Sequence, residues 1–250
     1  MNDSLTLRGK TVLITGGAKR VGAEMARALH GAGANVVVHY HRSAEVASVL
    51  VGELNAARRH SAVATACDLL DVSRFATLID TATQNFGHLD VLINNASTFY
   101  PTPVGEITTT QWDDLIGSNL KAPLFLTQAA AMALRLTKGL VLNIADIHGQ
   151  RPLRRYPVYS VAKAGLIMLT RSMARELGPH IRVNAIAPGP VMWPADGTDK
   201  ALQEKIINRT ALKRSGSAQD IARAALFFCT AAPYVTGQIL AVDGGRSIGW

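Results

Sequence analysis

Seven short apolar runs, rich in β-branched residues, alternate along this chain with stretches of helical spacing, and that alternation leaves few folds open. The first run, Thr11-Val-Leu-Ile-Thr15, stops at Gly16-Gly17; Val21 to Leu29 then shows helical spacing, with Gly31 and Gly33 as stop signals. Asn35-Val-Val-Val-His39 repeats the run and leads into a helical stretch from about Ala44 to Arg58. The segments 62–66, 90–94, 140–145, 181–186 and 238–242 continue the theme, with helical candidates at 72–86, 111–136, 156–177 and 218–230. Strands that are apolar along their whole length are buried on both faces. The expectation is an α/β fold of the doubly wound Rossmann type, with a seven-stranded parallel sheet, right-handed crossovers and helices on both faces. The 250 residues suffice for one large core, so 1–250 is expected to be a single domain. The one break in rhythm, Pro188 to Asp199, is rich in Pro, Gly and Asp and predicts a substrate lid over about 188–210.

Composition removes several classes of function. The two cysteines, Cys67 and Cys229, form no CxxC pair and have no flanking histidine cluster, which argues against a disulfide framework and against any metal site. Both read as small buried hydrophobes in a reducing compartment. The N-terminus lacks a basic start followed by an apolar run, and no stretch approaches the roughly 18 apolar residues of a membrane span. A soluble, cytoplasmic protein with no membrane partner is expected. The net charge of +8 comes from scattered basic residues, with no basic stripe interleaved with aromatics. That pattern argues against nucleic acid and for attraction of an anionic small molecule, such as a phosphorylated cofactor.

Open α/β sheets bind ligands at the carboxyl ends of their strands, near the point where strand order reverses. At the end of the first strand, Thr15-Gly-Gly-Ala-Lys-Arg-Val-Gly22 runs a glycine turn into a helix N-terminus, which offers N–H groups and a positive dipole end to a phosphate. The second strand ends in His39-Tyr40-His41-Arg42-Ser43. An Asp or Glu here would bind the ribose 2′-hydroxyl of NAD, and none is present. Arg42 offers a charge-assisted fork for a 2′-phosphate, Ser43 a hydroxyl at a helix start and His41 a further donor. The cofactor read from this cluster is NADPH/NADP+.

The chemistry is read from Asn143-Ile-Ala-Asp146 and Tyr156-Pro-Val-Tyr159-Ser-Val-Ala-Lys163. If the second segment opens a helix, Tyr159 and Lys163 cover the same patch of surface. An ammonium beside a phenol favours the phenolate, so the Tyr159 pKa is expected to fall from about 10 toward the working pH. A tyrosine so tuned can give or take a proton in a redox step.

With the Thr15-Gly16 turn, Asn94-Asn95-Ala96, Tyr159-x-x-x-Lys163 and Pro188-Gly189, the chain resembles the short-chain dehydrogenase/reductase family throughout. The resemblance implies that Gly16, Lys19, Arg20, Val21, Asp68, Leu69, Asn95, Ala96, Pro188, Gly189 and Val191 contribute to the cofactor site. It also implies that Asn119 steadies the central helix and joins a proton relay, and that Lys163 holds the nicotinamide ribose. Most of the family has a serine where this chain has Asp146, donating to a substrate carbonyl; an ionised aspartate cannot donate and suits a substrate with N–H groups or ring nitrogens. Arg20 stands where the family usually has a glycine. Both departures, with His39-Tyr-His-Arg-Ser43 and Asn94-Asn-Ala-Ser-Thr-Phe-Tyr-Pro-Thr-Pro103, are similar to the pteridine reductase subgroup.

That resemblance implies a pterin held between the nicotinamide and the Phe99 ring. Ser97 would hydrogen-bond it, Arg20 would reach both the cofactor phosphates and the pterin's oxygen edge, and Tyr156, Pro190 and Trp193 would line or close the pocket. The expected reaction is NADPH-dependent reduction of dihydrobiopterin, dihydromonapterin or dihydrofolate, with fully oxidised pterins as further candidate substrates and Tyr159, Lys163 and Asp146 handling the proton. One rival is a short-chain carbonyl reductase acting on a ketone, sugar or 3-oxoacyl thioester. Another is a cofactor-binding regulatory protein that has lost turnover, which an intact Tyr159, Lys163 and Asn119 set opposes. The resemblance further implies a homotetramer built on the long helices.

Overall fold

A computed structural model of the chain describes residues 6–192 and 199–249. Its sheet contains β1 (Thr11–Ile14), β2 (Asn35–Tyr40), β3 (Ala62–Ala66), β4 (Val91–Asn94), β5 (Leu140–Ile144), β6 (Arg182–Pro188) and β7 (Ile239–Val242). All are parallel, in the order β3-β2-β1-β4-β5-β6-β7. The helices are α1 (Arg20–Gly31), α2 (Ala44–Ala57), α3 (Phe75–Phe86), α4 (Thr109–Ile116), α5 (Ala122–Thr137), α6 (Pro157–Leu177), α7 (Lys200–Asn208) and α8 (Ala218–Thr230). Successive side chains of a strand point to opposite faces, and two cores divide accordingly. Val12 and Ile14 of β1 join Val36, Val38 and Ile93 against α1 and α8, while Leu13 joins Val37, Leu92 and Val141 against α3 and α5. Strand order reverses between β1 and β4, so the turns that leave these two strands form the crevice where a ligand is expected.

Two segments differ from the sequence expectation. The helical stretch read as continuous over 111–136 is broken by a π turn at Gly117–Lys121. Pro123 has no N–H to give to the carbonyl four residues back, so the α-helical ladder cannot run through, and the chain widens to a five-residue step, Ala122 N–H to Gly117 carbonyl. The predicted lid contains a helix, α7, whose first turn is capped by the Asp199 carboxylate on the Ala201 N–H at 3.1 Å. Among the described residues, no helix is long and apolar enough to cross a membrane.

Candidate active site

The glycine turn after β1 is braced from both sides. Thr15 Oγ1 accepts from the backbone N–H of Asn95 (2.9 Å) and of Ala96 (3.0 Å), clamping the ends of β1 and β4 together. The Asn95 side-chain amide donates to the carbonyls of Thr15 (2.8 Å) and Gly16 (3.1 Å). From the β2 side, His39 Nδ1 accepts the Gly16 N–H at 3.1 Å, and Nε2 lies 3.0 Å from the Cys67 carbonyl. These partners require a neutral ring with its proton on Nε2. Burial enforces that form, pushing the His39 pKa down to about 4. Gly16 has φ +59°, and a Cβ on Gly22 would lie 2.2 Å from the Gly16 carbonyl, so α1 meets the turn at a distance only glycine permits. Arg20 has φ +53°, a left-handed backbone that glycine adopts most readily.

A cleft of about 510 Å³ opens beside this turn. Gly16 and Lys19, the five residues His39 to Ser43, Asp68 and Leu69, and Ala96 and Ser97 line it, as the sequence suggests; Ala18, Leu70, Thr98, Asp114 and Ser118 line it in addition. Ser43 is the N-cap residue of α2, yet its hydroxyl makes no capping bond. The first turn of α1 carries no acidic residue and its N-cap side chain makes no capping bond either. An uncapped helix N-terminus, a hydroxyl and the Arg42 guanidinium suit a phosphorylated dinucleotide. Asp68 lies beside this cluster, 3.8 Å from His41.

At the other end of the crevice, Asp146 follows β5 and caps the 3₁₀ turn Ile147–Gly149, its Oδ1 accepting the His148 N–H at 2.8 Å. Pro157 sits in the first turn of α6, where its fixed φ suits helix entry, and the helical period brings Tyr159 and Lys163 onto one face. The Tyr159 hydroxyl donates to Asp146 Oδ2 at 2.8 Å. Lys163 Nζ donates to the Ile144 carbonyl at 2.9 Å and stands 5.6 Å from the centre of the Tyr159 ring. Tyr159 is 4% exposed and Lys163 2%.

The expected lowering of the Tyr159 pKa does not occur. Burial disfavours the phenolate and the Asp146 carboxylate disfavours it further, holding this phenol well above its usual 10. Burial also pushes Lys163 down to about 8, against the pull of Asp146. Tyr159 therefore holds its proton, which it shares in the hydrogen bond to Asp146. Asn119 is buried in the π turn, its amide nitrogen donating to the Thr98 and Leu115 carbonyls (both 3.0 Å) and its Oδ1 accepting from Ser97 Oγ at 2.6 Å. Phe99, 46% exposed, stacks on Tyr156 with ring centres 4.6 Å apart and planes at 11°, and meets Tyr159 edge-on at 4.8 Å. The structure thus gathers Asp146, Tyr159, Lys163, Asn119, Ser97, Phe99 and Tyr156 around one point.

Residues 16–247 match the family described as Enoyl-(acyl carrier protein) reductase. Among curated proteins, Pteridine reductase 1 of Leishmania tarentolae is 38% identical, over 94% of this chain and 96% of that protein. The 3-oxoacyl-(acyl-carrier-protein) reductase FabG of Staphylococcus aureus (strain N315) is 34% identical over 94% of this chain and 97% of its own length. A solved structure from Sinorhizobium meliloti 1021, assigned to the short-chain alcohol dehydrogenases, superposes with a TM-score of 0.93 at 32% identity, covering 98% of this chain and 99% of the other.

The chain belongs to the short-chain dehydrogenase/reductase family.

As a member of that family it is an oxidoreductase, and the family works with nicotinamide cofactors. Several residues expected at the site make defined contacts within the protein. The Asn95 amide is engaged on the β1 turn, and His39 braces Gly16. Val21 packs against the core of α1 and α8. Pro188 ends β6, and Gly189 passes so close to Asp243 that a Cβ would lie 2.6 Å from its side chain. The Pro190 carbonyl accepts from the Gly216 N–H (3.0 Å) and the Ser215 hydroxyl (2.9 Å), while Val191 packs on the core. Pro188, Pro190 and Val191 do not line the β1–β4 cleft. Trp193 lies outside the described residues. Sequence reasoning missed Gly149, where a Cβ would lie 2.8 Å from the Lys163 carbonyl, and the role of Thr15 as a clamp; a glycine three residues after Asp146 and the hydroxyl before the glycine pair were the available signals.

Proposed function

We propose that this oxidoreductase is an NADPH-dependent pteridine reductase that converts dihydropterins, with dihydrobiopterin, dihydromonapterin and dihydrofolate as candidate substrates, to their tetrahydro forms. The observation that carries the reading is the Asp146–Tyr159 hydrogen bond of 2.8 Å. A carboxylate at that place accepts and cannot donate, so it favours a heterocycle with N–H groups over a bare carbonyl. The exposed Phe99 face offers a flat ring a partner, worth about 1–3 kcal/mol by analogy with base stacking. The Leishmania relative named a pteridine reductase agrees with this reading.

Residues lining the cleft would hold NADPH: the Gly16 turn and the N-terminus of α1 toward the pyrophosphate, Arg42 and Ser43 toward the 2′-phosphate. When bound, the reduced nicotinamide supplies the hydride. Tyr159, kept protonated by burial and by Asp146, delivers a proton to the adjacent ring nitrogen. Asp146, anchored through Oδ1 on the His148 N–H, orients the phenol and accepts from an N–H of the substrate. Lys163 contributes positive charge beneath the phenol. We also propose a homotetramer formed through α4, α5 and α6, where Trp112, Met132, Leu136, Val161 and Met168 are exposed.

The second reading, reduction of a 3-oxoacyl thioester, is favoured by the relationship to the Staphylococcus enzyme. The deciding experiment follows NADPH absorbance with 7,8-dihydrobiopterin, dihydromonapterin, dihydrofolate, a ketone panel and a 3-oxoacyl thioester. Oxidation driven by a pterin supports the first reading; turnover confined to carbonyl substrates replaces it with the second. Asp146→Ser should shift the ratio of kcat/KM for pterin against ketone toward the ketone.

A further inference from the structure

Thr98, Phe99 and Tyr100 face two ways. The Thr98 and Tyr100 side chains turn to α4 and the π turn, while the Phe99 ring between them turns to Tyr156 and Tyr159, an alternation of the kind an extended chain produces. Ser118 Oγ gives its proton to the Asp114 carbonyl at 2.8 Å, so Thr98 Oγ1 is the donor in the 2.6 Å contact between the two hydroxyls. The Thr98 carbonyl accepts from the Asn119 amide at 3.0 Å. The Tyr100 hydroxyl donates to Asp114 Oδ2 at 2.9 Å, and its ring packs on the cluster of Leu115, Val158 and Tyr159. Thr98, Asp114 and Ser118 also line the β1–β4 cleft, so one short segment carries a wall of the cleft on one face and the aromatic platform on the other.

The helix that receives these bonds is itself fixed. At the start of α4, the Thr108 hydroxyl accepts from the Gln111 N–H at 3.2 Å and the Gln111 side chain from the Thr108 N–H at 3.0 Å. Beyond Tyr100, the Thr102 N–H donates to the Arg155 carbonyl at 2.7 Å, which ties the chain that carries Phe99 to the residue before Tyr156. Phe99 offers only an apolar ring, so its plane depends on what holds the residues on either side of it. On the Thr98 side a hydroxyl pair and an amide share that task, and on the Tyr100 side it falls to a phenol on a carboxylate. Burial and the Asp114 carboxylate push the Tyr100 phenol up to about 12, so it keeps its proton, and with it the bond, at neutral pH.

We infer that Tyr100 and Asp114 are positioning residues for the aromatic platform: by pinning the chain one residue past Phe99 to α4, their hydrogen bond fixes the plane in which the Phe99 ring meets a flat substrate. A hydrogen bond to a carboxylate is shorter and stronger than a neutral one, which suits it to hold a loop residue against a rigid helix. Stacking weakens when one ring tilts or slides, so the pair sets the affinity for a flat heterocycle without touching it. The inference rests on the proposed pterin substrate for its effect on turnover, while the statement that Tyr100 holds Phe99 stands on the protein alone.

The test is a double-mutant cycle on the KM for 7,8-dihydrobiopterin. Tyr100→Phe keeps the ring in its cluster and removes the hydroxyl; this KM should rise about tenfold, with kcat and the KM for NADPH within about threefold of wild type. In a Phe99→Ala background, where the platform is already gone, the same substitution should change KM by less than about twofold, because both act through one ring. Asp114→Asn keeps an acceptor for the phenol and should fall between wild type and Tyr100→Phe, which also serves if Tyr100→Phe fails to fold. A KM that Tyr100→Phe leaves unchanged, or a rise of the same size in both backgrounds, would overturn the inference, the second by making Tyr100 a general prop of the site. If the wild type turns over no pterin, the proposed substrate falls, and the crystal structure of Tyr100→Phe decides the positioning by itself. A Phe99 ring displaced from its 4.6 Å stack on Tyr156 supports it, and a ring left in place overturns it.

Discussion

Tyr159 gives its hydroxyl proton to Asp146 across 2.8 Å, and that contact governs what substitution at this centre should do. Tyr159→Phe keeps the ring and its edge contact with Phe99 but removes the proton. Its kcat should fall by about 10²–10⁴-fold, the usual contribution of a positioned general acid. The dissociation constant for NADPH, followed by cofactor fluorescence, should change little; near-wild-type turnover would end the donor role. Arg42→Ala removes a guanidinium that lines the cleft and, on the proposed NADPH site, should raise the KM for NADPH by about ten- to a hundredfold while sparing that for NADH. Equal changes for both cofactors would place the 2′-phosphate elsewhere. The Tyr159–Lys163 spacing was legible in the sequence because the helical period alone puts the two on one face. The direction of the phenol's pKa was not. It depends on burial and on a carboxylate thirteen residues away, and neither can be read from the spacing of a tyrosine and a lysine.

At the level of elements, the glycine turn, α1 and the turn after β4 behave as one piece. Gly22→Ala would place a Cβ 2.2 Å from the Gly16 carbonyl and 2.8 Å from the Asn95 amide nitrogen, so backbone must shift. Overpacking of this kind typically costs about 1–3 kcal/mol, and the variant should melt several degrees lower and bind NADPH weakly. Thermal melts beside a cofactor titration check it, and an unchanged melting temperature with tight binding would mean that the turn yields easily. The strands were legible because parallel strands covered on both faces leave unbroken apolar runs, and β1 to β7 lie within two residues of the runs read from the sequence. The π turn was hidden because the apolar pattern of 111–136 continues through it, with Pro123 the one local clue. Helix α7 was hidden behind the prolines and glycines that precede it, which made the whole segment read as loop.

For the molecule as a whole, the histidine at the end of β2 ties stability to pH. His39 titrates near 4 in the folded protein against 6.5 for a free imidazole, so between those values the unfolded chain binds more protons. Stability from this group is fully present above pH 6.5 and is lost as pH falls toward 4, a decline of about 3 kcal/mol at 1.36 kcal/mol per unit. Urea midpoints of the wild type and His39→Gln between pH 4.5 and 7.5 check this: the wild-type curve should be the steeper, and parallel curves would remove His39 as the cause. The same ring has a second consequence. It stands on the strand whose next four residues line the cleft, yet it braces the turn on the neighbouring strand. For conversion of this enzyme from one nicotinamide coenzyme to the other, the exchangeable cassette is therefore residues 40–43. A longer graft that also takes position 39 would swap recognition and scaffold together, and a chimera built that way would lose grip on either coenzyme.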